Sequence, residues 1–181
     1  TLGAATVLCV DKTGTLTENR MRIRCLDDGT AALDVTDDTQ ALPATARRLL
    51  NAAFLATRHH SFDPMDLAVG RLAGASDAGF SPLQADWSLG RHYGLSPQLA
   101  AMSQAWRSAP GVHEVATKGA PEAVAELCHL PPEEAAAWMA RVTTMARDGL
   151  RVLAVAVGTH RGDRLPVEQH DFDFAFVGLV G

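Results

Sequence analysis

Asp11-Lys12-Thr13-Gly14-Thr15-Leu16-Thr17 follows directly on the apolar run Val7-Leu8-Cys9-Val10. The run reads as a short buried strand, Thr6 to Val10, closed by a turn signal. Open α/β sheets place their ligands at the carboxyl ends of such strands, which is where Asp11 stands. A lysine, three threonine hydroxyls and a glycine that frees the backbone to turn come next. The combination suits a phosphate group. Asp11 can attack a phosphoryl centre and hold it as an acyl phosphate. Lys12 adds positive charge, and the turn from Thr13 to Thr15 adds N–H and O–H donors.

Haloacid-dehalogenase-type phosphatases keep a second Asp two positions after the nucleophile as general acid/base. Here that position is Thr13, which exchanges no proton near neutral pH. Such a site forms an aspartyl-phosphate without discharging it quickly, which suits a machine driven by its phosphoenzyme. An ordinary Thr/Gly-rich turn is the plainer alternative, but a match of this length behind the right strand is far more specific. The string resembles the phosphorylation signature of P-type ATPases, the ion and lipid pumps. The resemblance implies Asp11 as nucleophile toward ATP, with Lys12, Thr13 and Thr15 stabilising charge and Asp11 and Thr13 near Mg²⁺.

The composition fits a piece of such a pump. The chain has 181 residues, 47% of them apolar and 20% charged, the balance of one or two globular domains. No window approaches the ~18–20 apolar residues of a membrane span, and no secretory signal opens the chain. The resemblance therefore implies an excised cytoplasmic segment of an integral membrane protein, without direct membrane contact. A net charge of −5 argues against nucleic acid as a partner. Cys9, Cys25 and Cys128 are far apart and read as reduced, mostly packed thiols, with no zinc spacing.

The remaining pattern is that of an insertion. Met21 to Leu26 and Ala31 to Val35, joined by Asp27-Asp28-Gly29-Thr30, read as a hairpin. Helical spacing covers Pro43 to Thr57 and Asp63-Pro64 to about Ala73. Trp87 to Leu95, Ala100 to Trp106 and His113 to Lys118 read as antiparallel strands. Pro121 to Cys128 and Pro131 to Asp148 read as helices, the second capped at Gly149. Leu150 to Val157 and Asp173 to Gly181 complete the strands.

Thr117-Lys118-Gly119-Ala120-Pro121-Glu122 is the second informative stretch. A lysine at a strand end, followed by a glycine that permits close approach, suits nucleotide phosphates or a purine face. Alone it reads better as a strand-to-helix turn with an exposed lysine. Roughly a hundred residues after Asp11, it resembles the Lys-Gly-Ala-Pro-Glu motif of the nucleotide-binding domain of P-type cation pumps, which implies Lys118 and Gly119 in an ATP pocket.

Three weaker stretches then align by resemblance. Ser61-Phe62-Asp63-Pro64-Met65-Asp66 resembles the segment whose acidic residue accepts from the adenine amino group, which falls on Asp66. On the residues alone, Asp63 is a helix cap and Asp66 complements the helix dipole. Gly149-Leu150-Arg151-Val152-Leu153 resembles the strand whose arginine reaches the phosphates; Arg151 reads as well as a solvated strand residue. Tyr93-Gly94-Leu95-Ser96 with Met102 resembles the stretch that places a phenylalanine against adenine. The aligned residue is Leu95, so stacking is either lost or taken over by Tyr93, and nucleotide affinity is expected to be weak. Plain core packing is the stronger reading of Met102. His59-His60 reads as a solvated helix end, and Asp27, Asp28, Asp34, Asp37 and Asp38 as loop solvation.

The expected architecture is α+β: an antiparallel sheet flanked by helices, with terminal strands from a Rossmann-like haloacid-dehalogenase-type domain. Residues 1–20 are assigned to the phosphorylation domain, 21–172 to the nucleotide-binding domain and 173–181 to a strand returning to the phosphorylation domain. The resemblance implies ATP and Mg²⁺ as ligands. Its implied partners are the remaining phosphorylation, actuator and transmembrane domains of a cation pump, and the segment alone should bind nucleotide without turnover. A free-standing haloacid-dehalogenase-type phosphatase with a large cap is the alternative, opposed by Thr13. A nucleotide-binding regulatory module is a third reading.

Overall fold

Asp27-Asp28-Gly29-Thr30 turns the chain because its side chains satisfy its own backbone. Asp28 Oδ1 accepts from Thr30 N at 2.8 Å and Ala31 N at 3.1 Å, and Gly29 takes φ +88°, open to glycine at little cost. The turn joins β1 (Cys25–Asp27) to β2 (Ala32–Asp34), as the sequence predicts. The structure is a computed structural model describing residues 7, 9–10, 15, 17–36, 41–58, 61–75 and 86–181.

Beyond the hairpin follow α1 (Ala44–Leu55), α2 (Pro64–Ala75), β3 (Ser88–Tyr93), β4 (Ala101–Ala109) and β5 (Val112–Gly119). Then come α3 (Pro121–Leu127), α4 (Pro132–Arg147), β6 (Leu153–Arg161) and β7 (Ala175–Val180). The described strands form one sheet in the order β2-β1-β7-β6-β5-β4-β3, every neighbouring pair antiparallel. This is the expected α+β fold.

Helices cover both faces. On one, Leu49, Leu50 and Ala53 of α1 and Ala68 and Val69 of α2 pack with Leu26, Val155 and Val180. On the other, Val124 and Leu127 of α3 and Met145 of α4 pack with Ala101, Ala105, Val115, Ala154 and Leu179. The period-2 alternation of the strands divides their side chains between these cores. Gly149 ends α4 at φ +78°, with Leu150 N donating to Met145 O at 3.2 Å, the expected cap.

Two expectations meet a different outcome. Asp173 to Gly181 reads as a strand bound for a neighbouring parallel sheet, yet β7 is hydrogen-bonded on both edges, between β6 and β1. Its backbone groups are satisfied inside this sheet, so it is part of this fold. Asp27 reads as a solvated loop acid, yet its side chain is only 3% exposed. Arg141 of α4 holds it through both carboxylate oxygens, at 2.8 and 2.9 Å, and also donates to Gly29 O at 2.5 Å. That fork pins the hairpin to a helix more than a hundred residues away. Of the expected first strand, Val7, Cys9 and Val10 are described and lie in no strand.

Two histidines with buried ring nitrogens, His113 and the half-buried His92, give the fold a pH dependence. His113 is 4% exposed, and the Nδ1 atoms of His92 and His113 are buried without a hydrogen-bond partner among the described residues. Burial holds both below the ordinary histidine value, assisted by Arg58 near His92 and by His160 and Arg107 near His113. The unfolded chain therefore binds more protons than the folded one as pH falls through about 6.5, so stability falls with pH there. Urea midpoints at pH 7.5 and 5.5 should differ, and His113→Gln should narrow the difference. An unchanged difference would remove His113 from the effect.

Candidate ligand cleft

Strand register brings the candidate residues together. Met102 of β4 lies opposite Lys118 of β5, and Lys118 lies opposite Val155 of β6. These residues face α1 and α2. Around them opens a cleft of about 630 Å³, and Asp66, Leu95, Lys118, Gly119 and Arg151 all line it. They come from α2, the β3–β4 connection, the end of β5 and the segment before β6. Leu95 is 65% exposed and Arg151 is exposed.

Lys118 is not the exposed lysine that its turn alone suggests. Its Nζ forms a close ion pair with Asp66 Oδ1, and the two side chains are 5% and 7% exposed. It also donates to Thr57 Oγ1 at 2.9 Å, and Thr57 Oγ1 donates to Ala53 O at 2.8 Å, tying the pair to the end of α1. Burial pushes Lys118 down from the ordinary lysine value, while the hydrogen bond and charge of Asp66 pull it back up. An ammonium offers three donors, and among the described residues Asp66 and Thr57 take two of them. Lys118 pairs with Asp66 through Oδ1, and among the described residues no hydrogen bond to Oδ2 is seen. Asp63 caps α2 as expected, its Oδ1 accepting from Met65 N at 2.8 Å.

Gly119 has a different reason from the one its motif suggests. Its open side faces β4: a Cβ there would collide with Ala100 O and stand 2.5 Å from Ala101 Cα. The close approach that glycine permits is between strands. Tyr93 does not take over stacking from Leu95. It faces the opposite core, 6% exposed, with its hydroxyl donating to Pro166 O at 2.7 Å and its ring edge-on to Phe172. Strand alternation puts the preceding residue, His92, in the cleft instead. Met102 lines the cleft half-buried, so packing and site coincide there.

Sequence reasoning passed over Thr57, Arg58 and His92. Arg58 and His92 line the cleft, and Gln104 on β4 holds the backbone carbonyl of Thr57. The alternation of β3 could have found His92; nothing local announces Thr57 or Arg58. Asp11, Lys12 and Thr13 lie outside the described residues, as do His59, His60, Asp37 and Asp38, and Thr15 is exposed. Among the described residues no group of three or more His, Cys, Asp or Glu could hold a metal ion. No helix among them is long and apolar enough to cross a membrane.

No protein-family model matches the chain. Among curated proteins it is 30% identical, over 99% of its own length, to the probable cation-transporting ATPase I of Mycobacterium tuberculosis. It is 33% identical, again over 99%, to the probable cation-transporting ATPase I of Mycobacterium leprae. Its relatives are cation-transporting ATPases. A calcium-transporting ATPase 1 of Bacillus cereus is 26% identical over 99% of the chain. The chain spans 12% of the length of the two mycobacterial relatives and 22% of the bacillar one. It thus corresponds to one stretch of much longer proteins, and the cleft belongs to that stretch.

Proposed function

We propose that the chain is the ATP-binding portion of a P-type cation-transporting ATPase. One observation carries the reading: residues singled out in four separate stretches line a single cleft. That cleft combines an apolar wall, a buried donor–acceptor pair and two cationic side chains, Arg58 and Arg151. A purine needs the first two features and a triphosphate needs the third. Asp66 Oδ2 would accept from the adenine amino group, and the remaining Lys118 N–H would donate to a ring nitrogen. Arg151 and Arg58 would meet the phosphates.

In this reading residues 1–20 belong to the phosphorylation domain, and the nucleotide-binding domain runs from residue 21 through β7. Asp11 would attack the γ-phosphorus of ATP, its carboxylate oxygen forming the new P–O bond as the bond to the departing ADP breaks. Lys12, Thr13 and Thr15 would neutralise the charge that develops. Mg²⁺ would arrive on the ATP phosphates as part of the substrate, lowering their charge, with Asp11 and Thr13 as its protein contacts. The transport cycle itself would run through the actuator and transmembrane domains of the same pump.

Titration of the chain with ATP, with and without Mg²⁺, tests the assignment through amide chemical shifts. Shifts are expected at Asp66, Leu95, Lys118 and Arg151, with Asp11 little affected. Shifts that concentrate at Asp11 and spare Lys118 would show the pocket to be misplaced. Turnover of a generic phosphomonoester would favour a free-standing phosphatase instead.

A further inference from the structure

Among the described residues that line the cleft there is no phenylalanine, tyrosine or tryptophan. His92 of β3, Leu95 of the β3–β4 connection and Met102 of β4 line it. Just before α2 the chain carries a phenylalanine that touches almost nothing. Phe62 is 95% exposed, the most exposed of the large apolar side chains described. Its two neighbours, Ser61 and Asp63, both line the cleft.

The backbone around Phe62 is anchored although its ring is free. Asp63 N donates across it to Ser61 Oγ at 3.1 Å, and Met65 N donates to Asp63 Oδ1 at 2.8 Å. Met65 and Asp66, one turn further into α2, line the same cleft. A fixed mount with a ring set by two side-chain torsions covers a neighbouring ligand at small entropic cost. A phenylalanine left in water forgoes apolar burial that a heteroaromatic face would supply.

Resting on the adenine-nucleotide reading of this cleft, we propose that Phe62 is the aromatic residue that covers the bound base. The ring closes from the α2 side, so that the base lies between Phe62 and the Leu95–Met102 wall. The residue thereby determines affinity for planar heteroaromatic ligands and leaves phosphate recognition to Arg58 and Arg151.

The test is calorimetric titration of the 181-residue chain and its Phe62→Ala and Phe62→Trp variants. ATP and inorganic tripolyphosphate, which lacks a base, are the two probes. Phe62→Ala should weaken ATP binding about tenfold, the scale of one base–aromatic stack, and leave tripolyphosphate unchanged. Phe62→Trp should bind ATP as tightly as the parent chain or more tightly. Because the ring is exposed, the thermal midpoint of Phe62→Ala should match the parent, so lost affinity cannot be lost folding. Equal ATP affinity in the parent and Phe62→Ala overturns the inference while the nucleotide reading stands. An equal loss for ATP and tripolyphosphate overturns it too, since the ring would then act on something other than the base. A parent chain that binds no ATP overturns the nucleotide reading and this inference with it.

Discussion

Replacing Asp66 with alanine should lower the free energy of unfolding by about 3–5 kcal/mol. Lys118 would keep its burial and lose its counterion, and the side chain is only 5% exposed. Thr57 Oγ1 would remain as a neutral partner at 2.9 Å, too little to solvate an ammonium. The same loss should appear as a fall of about 10 °C in thermal midpoint for a chain of this size. The paired replacement Asp66→Leu with Lys118→Met removes both charges and fills the space with apolar volume. It should recover most of the stability, since well-packed apolar residues often equal or exceed a buried ion pair. It should not recover ATP binding, because donor and acceptor are both gone. Urea unfolding of the three chains provides the comparison. If Asp66→Ala cost less than about 1 kcal/mol, the pair would be no stronger than an exposed one.

Gly119→Ala should cost about 3 kcal/mol, the upper part of the range for overpacking. Gly119 is in register with Ala101, and the new methyl would meet Ala100 O, Ala101 Cα and Ala101 Cβ, the last at 2.7 Å. Backbone cannot step aside as a flexible side chain does, so β4 and β5 would have to part. The same substitution at Gly70 in α2 provides the contrast. Among the described residues nothing lies within 4 Å of a Cβ there, and the position is helical. Gly70→Ala should therefore stabilise by about 0.5–1 kcal/mol. Opposite signs for one chemical change would show that β4, rather than chain entropy, fixes the residue at 119. A cost at Gly119→Ala within about 0.5 kcal/mol would remove that account.

Much of this fold is legible along the chain because its elements are locally specified. Pro64 and Pro121 open helices, Gly149 closes one, and Asp28 folds its own turn. What is not legible depends on partners distant in sequence. In sequence Asp27 looks like its half-buried neighbour Asp28, and Arg141 of α4 distinguishes them. Lys118 looks like a surface lysine until α2 supplies Asp66. Gln169, in a short 3-10 turn, carries no motif, yet it accepts from Ser103 Oγ at 2.5 Å and donates to Ala101 O at 3.2 Å. The place of β7 is non-local as well, since an apolar strand reads alike in either kind of sheet. In the cleft, the family resemblance pointed to Leu95, Lys118 and Arg151. The pleat decided between Tyr93 and His92, a one-residue distinction that flips a side chain across the sheet.

The pairing of β1 with β7 also fixes how the sheet would carry a mechanical load. Arg24 N and Cys25 N donate to Gly181 O at 2.8 and 3.0 Å, and Gly181 N donates to Cys25 O at 2.9 Å. Residues 24 and 181 therefore stand side by side at the same end of an antiparallel ladder. A pull separating these two points opens that ladder one bond at a time, the weakest way to load it. A push or rotation applied to both points together strains no bond between them and turns the sheet as a single body. The geometry thus tolerates being steered from its paired ends and yields first, and locally, when they are drawn apart.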